Sequence, residues 1–133
     1  MTERTEPSPS PGSQRAQRAQ RAQRVEVAQA SLLARPEADL LARVQDVVCD
    51  TTRAQILRAL AATPLNVTEL STVLGRTKWT TSRHLRILRT HQLAVAERKG
   101  RQVFYRLSDS PVVDAALAAL EAMQTAAQPA ESR

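Results

Sequence analysis

The sequence is poor in cysteine, aromatic residues and glycine, and it has no long hydrophobic run. Its one cysteine, Cys49, excludes an internal disulfide framework and suits a reducing cytoplasm. Trp79, Phe104 and Tyr105 are its only aromatic residues, so aliphatic side chains must build the core. No stretch approaches the roughly 18 apolar residues of a membrane span, and the start lacks the apolar block of a signal peptide. We therefore expect a cytoplasmic protein with no membrane partner.

The residue patterns that support catalysis are missing as well. The three glycines are not clustered, which excludes a glycine-rich phosphate loop. No nucleophile–base pair and no cluster of metal-ligand residues stands out. We therefore expect no enzymatic activity, no cofactor and no metal site.

Both ends of the chain have the composition of disordered segments. Residues 1–24 combine three prolines and a serine cluster with an Arg-Ala-Gln repeat, and they offer little apolar surface to bury. We expect residues 1–24 and 125–133 to be disordered and residues 25–124 to form one domain. The repeat has two interpretations: a solvated tail, or an arm whose arginines (Arg15, Arg18, Arg21 and Arg24) follow DNA phosphates.

The central part of the chain has the periodicity of several helices. Apolar residues recur at helical spacing from Leu40 to Val48, and Pro36 can begin that helix. Asp50 is a good N-cap for the next helix, which Thr63-Pro64 ends. A short helix follows, with Gly75 at its end and with four residues expected to face inward: Val67, Leu70, Val73 and Leu74.

Thr77 is expected to cap a helix that runs to about His91. Thr81, Leu85 and Leu88 fall on one side of it, which predicts a buried stripe. Trp79, Arg83, Arg86 and Thr90 fall on the other side. Two amphipathic helices joined by a glycine turn indicate a helix-turn-helix.

The period then changes from 3.6 residues to 2 around Lys99-Gly100-Arg101, which predicts a β-hairpin with a charged tip. A final helix near Pro111 is apolar on most sides and so has a second surface to cover. The predicted fold is mainly α with a small β-hairpin, a winged helix-turn-helix. Positive charge is concentrated here: residues 76–106 carry nine Lys or Arg against one acid, Glu97, whereas the whole chain has a net charge of +6. A duplex phosphate backbone attracts such a surface, so double-stranded DNA is the expected partner.

Four segments of the sequence resemble the ArsR/SmtB family of arsenical-resistance and metal-sensing repressors. They are residues 49–57 (CDTTRAQIL), 70–75 (LSTVLG), 80–88 (TTSRHLRIL) and 98–107 (RKGRQVFYRL). The resemblance covers about 80 residues and implies a homodimer that blocks transcription at a palindromic operator until an inducer releases it. It also implies dimerisation through the first and last helices of the domain. The candidate interface residues there are Leu40, Val44, Val47, Val113, Leu117 and Leu120.

A recognition helix of this kind enters the major groove with its amino-terminal half. The exposed residues nearest to the DNA are then Lys78, Trp79, Thr80, Ser82, Arg83, His84 and Arg86. Arg83 can fork onto guanine acceptors, whereas Arg86 lies further along and suits a phosphate. In the hairpin, Arg98, Lys99 and Arg101 would hold the backbone or the minor groove. Two positions stay open: Trp79 is a groove contact or a cap over the domain, and His84 contacts DNA, a backbone group or solvent.

The sequence departs from the family's metal sensors at both of their usual sites. Asn66-Val67-Thr68 stands where many members carry Cys-X-Cys, and an amide and a hydroxyl do not replace thiolates. The last helix has carboxylates but no histidine. Cys49, expected to be half-buried, has no second cysteine in the chain, so a bridge between the Cys49 residues of two protomers is the one disulfide that stays open. We therefore expect no metal response. A small molecule, a protein partner or the protein's own concentration would be the signal.

Two other functions remain open at this point. The basic tail and hairpin would also suit an architectural protein that coats or bends DNA with low sequence specificity. A winged helix can also serve as a protein-docking module, which would have no salt-dependent affinity for DNA.

Overall fold

The computed structural model describes residues 10–129 of the chain. It divides into two compact units, the first ending at Arg35 and the second beginning at Pro36. The elements in chain order are α1 (Pro11–Ala30), α2 (Arg35–Val48), α3 (Thr51–Ala62), α4 (Val67–Leu74), α5 (Lys78–Thr90), β1 (Ala94–Lys99), β2 (Gln102–Leu107) and α6 (Pro111–Ala127). This order confirms the winged helix-turn-helix. Among the described residues, no helix combines the length and the apolar character that crossing a bilayer requires.

The helix α1 lies where the sequence predicts disorder, so that prediction is wrong for residues 11–24. Arginine, alanine and glutamine are all strong helix formers, so a run of them favours a helix even where it has no apolar face. Pro11 begins the helix, and the Ser13 backbone N–H donates to Ser10 Oγ at 3.2 Å. At the other end, α6 continues to Ala127, three residues past the predicted boundary. Residues 1–9 and 130–133, also predicted to be disordered, lie outside the described residues.

The caps of the central helices confirm the predicted boundaries. Asp50 Oδ1 accepts the Arg53 N–H at 3.0 Å at the start of α3. Asn66 and Glu69 form a reciprocal capping box on α4, with distances of 2.8 and 3.0 Å. Gly75 ends α4 with φ 63°, a left-handed conformation that favours glycine.

The hairpin between α5 and α6 is antiparallel, with Lys99 opposite Gln102 at its tip and Ala94 opposite Leu107 at its base. A third segment joins it, which the sequence did not predict. Leu65, in the loop between α3 and α4, pairs with Tyr105 through two backbone hydrogen bonds of 3.1 and 2.8 Å. The hairpin is thereby attached to the loop that precedes the helix-turn-helix.

The hydrophobic core lies between α2, α3, α4, α5, the hairpin base and α6. Its largest fully buried apolar side chains are Val47, Ile56, Leu57, Leu70, Leu85, Leu88, Leu93 and Val112. Three residues predicted to form a dimer interface belong to this core: Val44, Val47 and Val113 are 7%, 1% and 4% exposed. They cannot supply a surface for a second subunit, because the protomer's own side chains already cover them. That part of the interface prediction is wrong.

Two further expectations about burial are wrong. Val73 is predicted on the inner side of α4, but its side chain is 61% exposed. The helix is only eight residues long, and the residues that it buries are Leu70 and Ser71. Cys49 is exposed rather than half-buried, because it follows the last turn of α2 and precedes the cap of α3.

Candidate nucleic-acid interface

The helix α5 is held by its buried stripe, which leaves the opposite face in solvent. Thr81, Leu85 and Leu88 are each 1% exposed or less. Thr81 Oγ1 donates to the Thr77 carbonyl oxygen at 2.9 Å, which satisfies its hydroxyl inside the core. The exposed face carries five of the predicted DNA-contacting residues: Lys78, Trp79, Ser82, Arg83 and Arg86. The structure therefore brings these five together on one surface.

The indole of Trp79 does not fold over the domain. Its side chain is 71% exposed, and the Arg83 guanidinium lies over the ring at 5.4 Å from the centroid. This cation–π contact between residues one turn apart limits the conformations of both side chains. Of the two interpretations of Trp79, the exposed one is therefore the one that the structure adopts.

Thr80 has a local role in the structure as well as a place near the exposed face. The Thr80 N–H donates to Thr77 Oγ1 at 3.1 Å, and the Thr77 hydroxyl donates to Thr80 Oγ1 at 2.9 Å. Thr80 is a half-buried residue, and its hydroxyl, which accepts in this pair, can still donate its own proton. The amino-terminal end of α5 has no acidic residue in its first turn, so its positive dipole end is not neutralised by its own helix.

His84 faces the domain rather than the exposed face of α5. Its side chain is 19% exposed, and Nδ1 lies 3.9 Å from Asp50 Oδ1 at the start of α3. The backbone hydrogen bond from Arg53 lowers the pKa of Asp50 below 3.8, against the opposing effect of burial, and the charge of a protonated His84 would lower it further. His84 is therefore a contact between α5 and α3 and does not belong among the groove residues.

The carboxy-terminal half of α5 carries two further arginines. Arg86 is exposed, and Arg89 is exposed with its guanidinium 6.0 Å from the centroid of the Tyr105 ring. The Arg89–Tyr105 contact connects α5 with β2, so α5 and the hairpin are held to each other as well as to the core.

The hairpin leaves its cationic tip unneutralised. Glu97, the one acidic residue of this region, pairs with Arg106 near the base of the hairpin at 3.6 Å. Arg98 Nε donates to the Gly100 carbonyl at 3.2 Å, and Lys99 Nζ lies 5.8 Å from the centroid of the Phe104 ring. Among the described residues, none of the three predicted wing cations (Arg98, Lys99 and Arg101) has an acidic partner.

The remaining predicted interface residues lie on α2 and α6. Leu40, Leu117 and Leu120 are half-buried against the core and keep part of their surface in solvent. Leu41 on α2 and Met123 on α6 are 54% and 51% exposed, and neither was predicted as an interface residue. The available signal for Leu41 and Met123 was a large apolar side chain on a predicted helix at a position outside the buried stripe. Within residues 10–129, no group of three or more His, Cys, Asp or Glu could hold a metal ion.

Comparison with known proteins places this architecture in a family. Residues 50–94 match the model described as "Bacterial regulatory protein, arsR family", a segment that includes α3, α4 and α5. The chain is 30% identical over 90 residues to a transcriptional repressor SmtB homolog of Synechocystis sp., an alignment that covers 68% of each chain. The chain belongs to the ArsR family. Its members are DNA-binding transcriptional regulators, and the exposed face of α5 is this ArsR protein's candidate DNA-reading surface.

Two other comparisons agree with this assignment. The ArsR chain is 43% identical over 70 residues to the HTH-type transcriptional regulator CmtR of Mycobacterium bovis, which covers 53% of this chain and 59% of that regulator. It therefore spans less than two thirds of CmtR. The homodimeric winged helix-turn-helix domain of a possible ArsR-family regulator from Mycobacterium bovis superposes with a TM-score of 0.58 at 28% identity, covering 78% of this chain and 99% of that one.

Proposed function

We propose that this ArsR protein is a sequence-specific transcriptional repressor, which binds a palindromic operator as a homodimer in the cytoplasm. The observation that carries the proposal is the exposed face of α5. It presents cations and hydroxyls that the protomer's own core does not use. Beside it lies a hairpin whose cationic tip has no acidic partner within residues 10–129. A DNA duplex offers the phosphates and base edges that such a surface requires.

The proposed roles of the side chains follow from their positions along α5. Arg83 reads a guanine through its two parallel N–H groups, and Ser82 reaches a base edge or a phosphate oxygen. Trp79 contacts a sugar or a thymine methyl group. The first phosphate contacts come from Lys78, the Thr80 hydroxyl and the positive dipole end of α5. Arg86 contacts a phosphate further along the helix.

The wing cations are proposed to contact the DNA beyond the segment that α5 reads. Arg98, Lys99 and Arg101 lie at or beside the tip of the hairpin, so they can reach the neighbouring backbone or minor groove. The contact between Arg89 and Tyr105 fixes the hairpin relative to α5. Both elements then approach the duplex as one surface.

A palindromic operator requires a second subunit related by a two-fold axis. The apolar side chains that α2 and α6 leave in solvent are Leu41 and Met123, and Leu40, Leu117 and Leu120 lie partly exposed beside them. We propose that these five residues form the dimer surface. A dimer of this kind presents two copies of α5 about 34–36 Å apart, so that they read half-sites one helical turn apart.

We also propose that release from the operator does not depend on a metal ion. The proposal rests on Asn66-Val67-Thr68, where α4 begins with an amide and a hydroxyl in place of thiolates, and Asn66 is already used in the capping box. Zinc, cadmium, nickel and cobalt salts should each leave operator affinity unchanged relative to a chelator control. A metal that lowers this affinity at equimolar concentration would contradict the proposal.

Footprinting with the purified full-length protein tests the main proposal. Genomic fragments that the protein selects should each contain one short palindromic segment protected on both strands, and a promoter should overlap it. Transcription from that promoter in vitro should fall when the protein is added. Uniform weak protection along every fragment would favour an architectural role instead, and absence of salt-dependent binding would favour a protein-docking module.

A further inference from the structure

The helix α1 is cationic and contributes no buried residue to the fold. Arg15, Arg18, Arg21 and Arg24 lie along it, and the segment from Pro11 to Val25 has no acidic residue. None of the 20 residues of α1 is buried. Among residues 10–129, no acidic side chain forms an ion pair with any of these arginines. The helix therefore carries four positive charges, and the described part of the chain neither covers nor pairs them.

The spacing of the arginines determines which kind of partner they suit. Each step of three residues turns the side chain by about 60° around the helix axis, so Arg15 and Arg24 point to opposite sides about 13 Å apart along it. Only alanine and glutamine stand between the arginines. A helix that lies on a lipid surface needs one apolar face, and a helix that docks in a protein groove needs apolar anchors at helical spacing. Residues 11–24 have neither.

We propose that α1 binds the phosphate backbone of the DNA that flanks the operator half-site. Positive charges on opposite sides of the helix match a site with phosphates on both sides, which is what a duplex groove offers to an α-helix. The inference rests on the proposed function, because α5 and the wing bring the chain to the duplex. It extends that function by a second, sequence-independent contact outside the segment that α5 reads.

Like charges three residues apart on a helix repel each other, and helices without tertiary contacts are only marginally stable in water. Phosphates placed between the arginines would remove this repulsion. The helical content of the full-length protein should therefore rise when an extended duplex is added. A variant without the arginines should not have this gain.

The test compares the full-length protein with a variant in which the four arginines are replaced by glutamine (R15Q/R18Q/R21Q/R24Q). Glutamine is also a good helix former, and α1 contributes nothing to the core, so the second unit keeps its fold. The matched control is the corresponding fourfold lysine variant, which keeps all four charges. Operator affinity is measured against salt concentration on two duplexes, one with flanking DNA and one trimmed to the palindrome.

On the extended duplex, the logarithmic salt slope of the glutamine variant should be smaller by up to about 3.6 for each protomer, because each neutralised phosphate contributes about 0.9. The lysine variant should keep the wild-type slope, and all three proteins should agree on the trimmed duplex. Equal slopes for wild type and glutamine variant on the extended duplex, with the operator still bound, would overturn the role of α1 and leave the repressor proposal intact. If neither protein binds any duplex in dilute buffer, both proposals fail.

Discussion

Arg83 is the side chain that the fold exposes and orients for the proposed contact with a base. It projects from the exposed face of α5 and stacks on Trp79, so its guanidinium is partly pre-oriented before DNA is present. Arginine reads guanine with two parallel hydrogen bonds, which a lysine cannot reproduce with the same geometry.

Arg83→Ala should weaken operator binding by about 1–3 kcal/mol, because alanine cannot form the bidentate hydrogen bonds to the base. Affinity for random duplex should fall less, and selectivity should relax at one base step of each half-site. Fluorescence anisotropy with single-base operator variants measures both effects. An equal weakening on operator and random DNA would instead make Arg83 a phosphate contact.

The charge of Asp50 links the stability of the fold to pH. Its pKa in the folded protein is lowered, mainly by the backbone hydrogen bond from Arg53, so the ionised carboxylate stabilises the fold. This contribution is fully present above the unfolded value of 3.8 and is lost as the pH falls through the lower folded pKa.

Asp50→Asn keeps a capping oxygen but removes the charge. The variant should therefore be less stable than the wild type at neutral pH, and the difference should shrink toward zero below pH 3.8. Urea unfolding at several pH values measures the difference in free energy. A difference that stays constant across this range would show that the charge of Asp50 is not involved.

Individual residues were predictable where a local rule applies and not where the partner comes from a distant segment. The N-caps Asp50 and Thr77 and the turn at Gly75 were found from the sequence, because caps and left-handed turns depend on a few neighbouring residues. The orientation of His84 was not, because Asp50 lies 34 positions earlier in the chain. The spacing of residues along α5 does not predict a contact between His84 and Asp50.

In the hairpin, the wing cations and the contacts that attach it to the domain lie at opposite ends. Its base is attached through the Leu65–Tyr105 backbone pairing, whereas its tip carries the wing cations. The tip can therefore be neutralised without removing the contacts that hold the hairpin.

Replacing Arg98, Lys99 and Arg101 by alanine should lower the logarithmic salt slope of DNA binding by up to about 2.7 for each protomer, while the preferred sequence stays the same. The matched control is the double variant Glu97→Gln with Arg106→Gln, which leaves the net charge unchanged and should keep the slope. A wing variant that keeps the wild-type slope would remove the wing from the proposed interface.

Among the elements, α1 was not predictable from apolar periodicity. That signal detects helices that pack on a core, and α1 packs on none. Intrinsic propensity alone would have favoured a helix over the Arg-Ala-Gln repeat. The Leu65–Tyr105 bridge was missed for a related reason, since a single paired residue after Pro64 has no period to detect.

Across the protomer, the sequence correctly identified apolar faces on α2 and α6. It did not identify which of their side chains the protomer itself covers. Apolar periodicity predicts that a helix face is buried. It does not predict whether the same protomer or a second subunit covers that face. Val47 and Val113 are covered by the protomer itself. The more exposed apolar side chains on the same two helices are the ones left for a second copy of the chain.

Leu41→Glu combined with Met123→Glu should shift the protein from dimer to monomer and weaken binding to the full palindrome, because charges would enter the proposed apolar contact. Both positions are at least half exposed, so the thermal unfolding temperature measured at low concentration should change little. Sedimentation analysis gives the mass. Val73→Glu, at an equally exposed apolar position on α4, serves as the control and should stay dimeric. If the double variant also remains dimeric, the interface lies elsewhere.

Trp79 is the chain's single tryptophan, and it lies at the start of α5 with 71% of its surface exposed. Indole fluorescence from the native protein therefore originates entirely at the proposed reading surface. Its emission should already resemble that of a hydrated indole before denaturant is added, which makes it a poor reporter of unfolding. Docking of a nucleobase or sugar against the ring should change its intensity, so the unlabelled protein carries its own optical sensor of occupancy.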